Sequence, residues 1–146
     1  MSWMDYATSV TINAPPETVW GLTTDIEGWP RIASSVTAVR RLDDGALQVG
    51  SQADVEQPRL RPARWQVTAL EPGRMFVWES TSGGVTSIGE HIVTPTGSGS
   101  RLDLRIRQSG RLAGLVAALY GRRIRRYLHL EAEGFRKAAE AAVGAD

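Results

Sequence analysis

The chain contains no cysteine, which excludes disulfide bonds, thiolate zinc sites and cysteine nucleophiles. Histidine is also scarce, because only His91 and His129 occur and they lie far apart. No group of histidines and carboxylates has the spacing of a metal site, and no Walker loop or dinucleotide-binding motif is present. We therefore expect neither a metal ion nor another cofactor.

A long hydrophobic run and a strong excess of one charge are also missing. No stretch of 18 apolar residues occurs, and no basic segment followed by an apolar one opens the chain, so we expect a cytoplasmic protein. The net charge of +1 gives no reason to expect nucleic-acid binding. The 146 residues suit a single domain that covers residues 1–146. Neither length nor charge indicates an oligomeric state.

What the chain does contain is a series of short apolar runs separated by turn residues, which predicts β-strands. The clearest run is 101–107, where Leu102, Leu104 and Ile106 share one face and charged residues share the other. Such a strand has one solvated face and needs a cover on its apolar face. The predicted strands cover residues 6–13, 36–42, 47–56, 64–70, 75–80, 85–94 and 101–109.

Two short helices are predicted after the first strand, because Pro15 or Pro16 suits a first helical turn and Asp25 restarts the pattern. A long helix is predicted from about residue 112 to 143. Its apolar residues fall on two faces, one with Leu115 and Leu119 and the other further along the helix, so we expect a bend at Gly121. This order predicts an α+β fold in which a curved antiparallel sheet of about seven strands wraps around the C-terminal helix.

Several motifs resemble a known family. Residues 12–20 read INAPPETVW and are followed by Asp25 and Trp29-Pro30, which resembles the opening of the START-like (SRPBCC) helix-grip superfamily. Residues 89–91, 99–102 and 109–114 are similar to its polyketide cyclase/dehydrase group. The resemblance implies a helix-grip fold with an apolar cavity, on which aromatases, lipid carriers and quinone-binding proteins are all built. Residues 31–34, RIAS, depart from the pattern of many relatives, so ligand choice does not carry over through this loop.

Aromatic residues supply the predicted ligand-binding surface. We place Trp65 and Val67 on one inward strand face, Phe76 and Trp78 on another, and Trp29 at the entrance. Two interpretations stay open, since these rings either fill the core or stack on a planar ligand. The predicted ligand-binding residues are Trp29, Trp65, Phe76, Trp78 and Tyr120. Trp20 is expected to pack the first helix against the sheet.

The candidate catalytic residues are His91, Arg123 and Tyr127. His91 suits proton transfer near neutral pH, but its alternation with Ile88 and Ile92 leaves open whether it faces solvent or ligand. Arg123 and Tyr127 lie four residues apart on the long helix, so they project to the same side, with Tyr120 beside them. We expect the remaining arginines of this helix, and His129, to face solvent.

Three functions are compatible with this sequence. The first is binding of a small hydrophobic ligand of polyketide, lipid or isoprenoid type in a cavity between the sheet and the C-terminal helix. The second is a polyketide cyclase or dehydratase, which needs an acid or a base in that cavity. The third is a protein-interaction module, which would show a filled core and an exposed apolar patch. An acyl-carrier protein and an anionic membrane surface are the candidate partners.

Overall fold

Seven antiparallel strands form one sheet in the structure, a computed structural model that describes residues 3–144. The strand order across the sheet is β1-β7-β6-β5-β4-β3-β2, so the first two strands of the chain form its opposite edges. The strands are β1 Met4–Ile12, β2 Ala38–Arg41, β3 Gln52–Glu56, β4 Ala63–Glu71, β5 Met75–Ser82, β6 Val85–Pro95 and β7 Ser100–Ser109.

Short helices connect the two edges of the sheet. Helix α1 (Pro16–Thr24) follows β1, and a 3₁₀ turn (Ile26–Gly28) leads into α2 (Trp29–Ile32). Prolines occupy the first turns of α1 and α2. Backbone N–H groups in a first helical turn have no partner within the helix, so proline loses no hydrogen bond there. The long helix α3 (Ala113–Gly144) then packs against β1, β7, α1 and α2. The predicted helix-grip α+β fold is therefore confirmed.

The core lies between the sheet and α3. The inward faces of β6 and β7 alternate with outward faces, and Val93, Leu102 and Leu104 are almost completely buried. From the helix side, Leu128 and Phe135 enter the same core. Within residues 3–144, no helix has the length and apolar content needed to cross a bilayer.

Helix α3 is uninterrupted over its 32 residues. Gly121, where we predicted a bend, faces β1, and a Cβ at this position would lie 3.4 Å from the Tyr6 hydroxyl. The prediction that a bend buries both apolar faces is wrong, since Leu115 and Leu119 are 55% and 66% exposed. The first part of α3 thus carries an exposed apolar face.

The connection between β2 and β3 is longer than the tight turn that the sequence predicted. Strand β3 begins at Gln52 rather than at residue 47. The Asp43 carboxylate holds the connection, because it accepts hydrogen bonds from the Ser51 hydroxyl at 2.9 Å and from the Gln52 amide at 3.1 Å. An acidic side chain therefore organises a segment that we expected to be a strand.

Candidate ligand-binding site

A cavity of about 180 Å³ lies between the sheet and α3, and we call it the inner cavity. Strands β3, β4, β6 and β7 supply one wall, and α3 and the loop 57–62 supply the other. Most of the wall is apolar or aromatic, and a few polar groups point into it. Its walls include Val55, Trp65, Ile106, Ile124 and Leu128, together with the polar residues Gln57, Gln108, Tyr127 and Glu131.

A smaller space of about 40 Å³, the deep pocket, adjoins the inner cavity on the side of the core. Trp65, Leu128 and Glu131 form walls of both spaces, together with other shared residues. Trp29, Trp78 and His91 line the deep pocket but not the inner cavity. These three predicted site residues are almost completely buried.

An open groove of about 810 Å³, the outer groove, lies on the opposite side of the inner cavity. Ala63, Trp65 and Tyr120 line both spaces, so the groove and the inner cavity share a wall. Its rim is apolar on the helix side, where Leu115 and Leu119 are exposed, and basic on the loop side, where Arg59 and Arg61 are exposed. The three spaces together run from the surface to the core.

The predicted aromatic residues form one connected cluster. Trp65 stacks on Trp78, with ring centroids 5.3 Å apart and planes 28° apart. Trp29 meets Trp78 edge to face at 5.3 Å. Trp29 is only 4% exposed, and its indole N–H donates to the Thr23 carbonyl at 3.1 Å, so our placement of Trp29 at the entrance is wrong. Phe76 is fully buried within the cluster and lines none of the three spaces described above.

His91 is buried in the core, so the solvent-facing interpretation is wrong. Its imidazole stacks on Phe76 with centroids 4.1 Å apart and planes 9° apart. Burial lowers the pKa of His91 to about 4, although the neighbouring Phe76 backbone acts in the opposite direction. Within residues 3–144, the Nδ1 atom of His91 has no hydrogen-bond partner. His91 is therefore a neutral imidazole with a free nitrogen at the deep end of the site.

Tyr120, Arg123 and Tyr127 lie on the same side of α3, as their spacing predicts. The Arg123 guanidinium is 5.6 Å from the Tyr120 ring centre, and it donates to the Arg59 carbonyl at 3.2 Å. The Tyr127 hydroxyl donates to the neighbouring Pro58 carbonyl. Tyr120 and Tyr127 line the inner cavity, whereas Arg123 does not. Arg123 and Tyr127 thus tether the loop 57–62 to α3.

Glu131 is a polar residue of the site that sequence reasoning missed. Its carboxyl lines both the inner cavity and the deep pocket, and its Oε1 accepts a hydrogen bond from the Gln57 side-chain amide at 3.3 Å. Burial raises the pKa of Glu131 to about 8, and no cationic group offsets this effect. At neutral pH the carboxyl is therefore largely protonated.

The sequence contained a signal for Glu131. Ile124, Leu128 and Phe135 recur at the spacing of one helix face, and Glu131 lies between Leu128 and Phe135 on that face. A carboxyl on an otherwise apolar stripe is costly to bury, which makes it a candidate functional group.

Solved structures with the same fold include proteins of different chemistry. The di-domain ARO/CYC protein StfQ from the steffimycin biosynthetic pathway is 14% identical to this chain, with a TM-score of 0.80. The match covers 97% of this chain and 52% of StfQ, so the present chain spans about half of StfQ. The Thermus thermophilus protein TTHA0849 is 18% identical, with a TM-score of 0.77 over 95% of this chain and 99% of that one.

A third similar structure is a point mutant of Thalictrum flavum norcoclaurine synthase in complex with a transition-state analogue. It is 14% identical, with a TM-score of 0.75 over 97% of each chain. At these identities the similarity establishes the fold alone. No curated protein sequence matches the chain. A sequence profile, in contrast, matches residues 4–140, nearly the whole length. The chain therefore belongs to the polyketide cyclase/dehydrase and lipid transport family.

Proposed function

We propose that the protein binds a small hydrophobic molecule of polyketide, lipid or isoprenoid type in the inner cavity. The observation that carries this proposal is the series of three adjoining spaces, the outer groove, the inner cavity and the deep pocket, which share aromatic and aliphatic walls. Ligand sites are typically concave and mostly apolar, with a few polar groups that fix orientation. This description fits the space between the sheet and α3.

The dimensions restrict how a ligand would bind. The inner cavity of about 180 Å³ is smaller than the 300 to 1,000 Å³ that is typical of ligand sites. A ligand of several rings, or one with a long acyl chain, would therefore extend into the outer groove. Trp65 lines all three spaces, so its ring is the wall that such a ligand would contact along its length.

Native mass spectrometry of protein purified from its own source, with extraction of bound small molecules, tests this proposal. Ala63→Trp places a large ring in the wall shared by the inner cavity and the outer groove, and we expect this variant to lose the bound molecule. Ala7→Trp adds the same ring on the exposed face of β1 and serves as the matched control. A wild-type protein without any bound molecule, or an Ala63→Trp variant that retains it, would contradict the proposal.

Cyclisation or dehydration of a polyketide is the second candidate function. It is favoured by the presence of His91, Tyr127 and Glu131 in the walls, since the reaction needs groups that donate and accept protons. In a dehydration, a base removes a proton next to a ketone, an acid protonates the leaving hydroxyl group, and water departs. Glu131 is suited to the role of the acid. Arg123 holds the loop 57–62 in this proposal and does not contact the ligand.

An anionic membrane surface is the partner that the outer groove favours. The exposed leucines at its rim suit insertion among lipid headgroups, and α3 carries four arginines between residues 122 and 126 but no acidic residue before Glu131. A ligand could then pass between the membrane and the inner cavity. An acyl-carrier protein or another protein partner is the alternative occupant of this surface.

A further inference from the structure

We propose that Glu131 and His91 form a hydrogen-bond donor and acceptor pair that recognises a ligand carrying both a carbonyl oxygen and a hydroxyl group. This inference rests on the proposed function, because it describes the ligand of the same cavity. It gives a role to Glu131, which the sequence motifs did not single out. It also gives His91 a role in ligand recognition, which differs from the proton transfer predicted from the sequence. It also narrows the ligand from any hydrophobic molecule to a neutral hydroxy ketone.

The two side chains reach the deep pocket from opposite layers. His91 comes from β6 in the sheet, and Glu131 comes from α3. Both line the deep pocket. The Nδ1 atom of His91 is buried without a hydrogen-bond partner, and a buried polar atom in that state costs free energy until a ligand or water pairs with it. The pocket thus contains an unused polar atom opposite a carboxyl group.

Gln57 fixes the position of the carboxyl. Its side-chain nitrogen donates both to the Ser35 carbonyl at 3.1 Å and to Glu131 Oε1 at 3.3 Å. The first bond anchors the amide to the backbone, and the second occupies one oxygen of the carboxyl. The other oxygen carries the proton in the neutral acid and can donate it in a hydrogen bond. A carbonyl oxygen of the ligand is the natural acceptor.

The size of the deep pocket limits what can enter it. About 40 Å³ is room for one or a few water molecules, and hence for polar substituents of a ligand rather than for its rings. The rings would remain in the inner cavity against Trp65. A hydroxyl group of the ligand would then donate to Nδ1 of His91 in the tautomer that carries its proton on Nε2.

The protonation states support this arrangement. Burial raises the pKa of Glu131 to about 8 and lowers the pKa of His91 to about 4, so both groups are uncharged between about pH 5 and pH 7. The other titratable or charged residues that line the same spaces are Arg61 from the loop, Glu90 from β6, Arg105 from β7, and Tyr120 and Tyr127 from α3. Glu90 and Arg105 pair with each other at 3.7 Å.

Three neutral probes with the same two-ring skeleton test the inference. Benzoin has a carbonyl group next to a hydroxyl group, deoxybenzoin has the carbonyl group alone, and bibenzyl has neither. Their binding is measured by quenching of tryptophan fluorescence at pH 6 and pH 9.5. For the wild type at pH 6 we expect benzoin to bind about tenfold more tightly than bibenzyl, with deoxybenzoin between them. At pH 9.5 the benzoin advantage should shrink, because ionised Glu131 no longer donates.

Two substitutions of Glu131 test whether its side chain acts as a hydrogen-bond donor or as a negative charge. Glu131→Gln keeps a donor, so it should retain the benzoin preference at both pH values. Glu131→Leu should lose that preference while it still binds bibenzyl. Glu133→Gln is the matched control, because Glu133 pairs with Arg136 outside the cavity. His91→Phe should bind benzoin and deoxybenzoin equally. Thermal unfolding of each variant confirms that it is folded.

The outcomes distinguish this inference from the proposed function. If bibenzyl binds but benzoin has no advantage, or if Glu131→Gln loses the preference as fully as Glu131→Leu, the inference is wrong and the proposed function stands. Tighter binding of phenethylamine than of benzoin would also overturn it, because Glu131 would then act as a carboxylate for a cation. Failure of all the probes to bind the wild type would contradict both proposals.

Discussion

Glu131 occupies a position in which burial opposes ionisation. Its pKa rises from 4.5 in the unfolded chain to about 8 in the native state, so the native state loses stability as the pH rises from 4.5 to 8. We expect Glu131→Gln to raise the free energy of unfolding by roughly 1 to 3 kcal/mol at pH 8, and by much less at pH 4.5. Urea unfolding at the two pH values measures the difference.

Glu133→Gln provides the reference for that experiment. Glu133 accepts a hydrogen bond from Arg136 at 2.8 Å, and this contact lowers the pKa of its carboxyl. Its replacement should leave the stability at pH 8 unchanged or slightly reduced, because a partly exposed ion pair contributes little. A Glu131→Gln variant that is less stable than the wild type at pH 8 would show that the carboxyl is not buried as described.

His91 has the opposite dependence on pH. Its pKa falls from 6.5 in the unfolded chain to about 4 in the native state, so protonation favours unfolding and stability is lost as the pH falls from 6.5 to 4. This loss amounts to roughly 3 kcal/mol. Glu131 changes stability in the other direction over part of this range. The quantity to measure is therefore the difference in stability between the His91→Gln variant and the wild type at each pH.

We expect the wild type to lose stability relative to His91→Gln as the pH falls through this range, as measured by thermal unfolding at several pH values. His129→Gln is the control, since His129 is exposed on α3. The same pH dependence in both histidine variants would indicate that His91 is not responsible for it.

The sequence predicted which residues form the site better than it predicted which way their side chains point. Trp65 and Trp78 face inward as predicted, but the alternation in β6 left open which way His91 points, and the structure places it inward. Val85, Gly89, His91 and Val93 are the buried residues of β6, whereas Ile92 is 38% exposed. Both faces of β6 carry apolar residues, so hydrophobicity alone cannot decide which face is buried.

Glycines in α3 set how closely the helix packs on other elements. A Cβ on Gly134 would lie 2.4 Å from the Ile32 carbonyl oxygen, so Gly134→Ala would force α3 away from the end of α2. Gly114 has no neighbouring atom within 4 Å of a Cβ. We expect Gly134→Ala to cost about 1 to 3 kcal/mol and Gly114→Ala to contribute up to about 1 kcal/mol of stability.

Chemical denaturation of the two alanine variants checks this contrast directly. Both substitutions remove a helical glycine, so their intrinsic gain in helix propensity is similar and the difference reports the contact with Ile32. If Gly134→Ala is as stable as Gly114→Ala, α2 and α3 are not packed as closely as described.

Strands were easier to predict than their ends, and α3 was easier to predict than its environment. Alternation in 101–107 correctly indicated a strand with one apolar face, which the structure shows as part of β7. Leu47 and Val49 are apolar, but residues 47–51 lie outside the strands, and the Asp43 carboxylate holds the end of this segment through Ser51 and Gln52. In α3, periodicity showed which leucines share a face, but it could not show whether another element covers that face.

For the whole molecule, the exposed leucines predict binding to anionic membranes. We expect Leu115→Ser/Leu119→Ser to reduce binding to phosphatidylglycerol vesicles by about tenfold or more, because each leucine loses apolar burial in the membrane interface. Vesicle co-sedimentation measures the effect, and added salt should weaken the binding of the wild type as well.

Leu42→Ser is the matched control, because Leu42 is an exposed leucine, at 37%, outside the groove walls. Its replacement should leave vesicle binding unchanged. Equal binding of the wild type to phosphatidylcholine, or an equal loss in the Leu42 variant, would contradict a specific anionic membrane surface. Retention of an acidic carrier protein without any vesicle binding would favour the protein partner instead.

The strand order has a consequence for synthesis of the chain. Strand β1 pairs with β7 alone, and Tyr6 aligns with Ile106, about 100 residues later. At roughly 5 to 20 residues per second, the ribosome needs about 5 to 20 seconds to produce the partner of β1. Throughout that interval the unpaired strand exposes backbone hydrogen-bonding groups that can pair with other chains. The first strand to be synthesised is thus among the last to find its partner, and slower translation lengthens the time for which it stays unpaired.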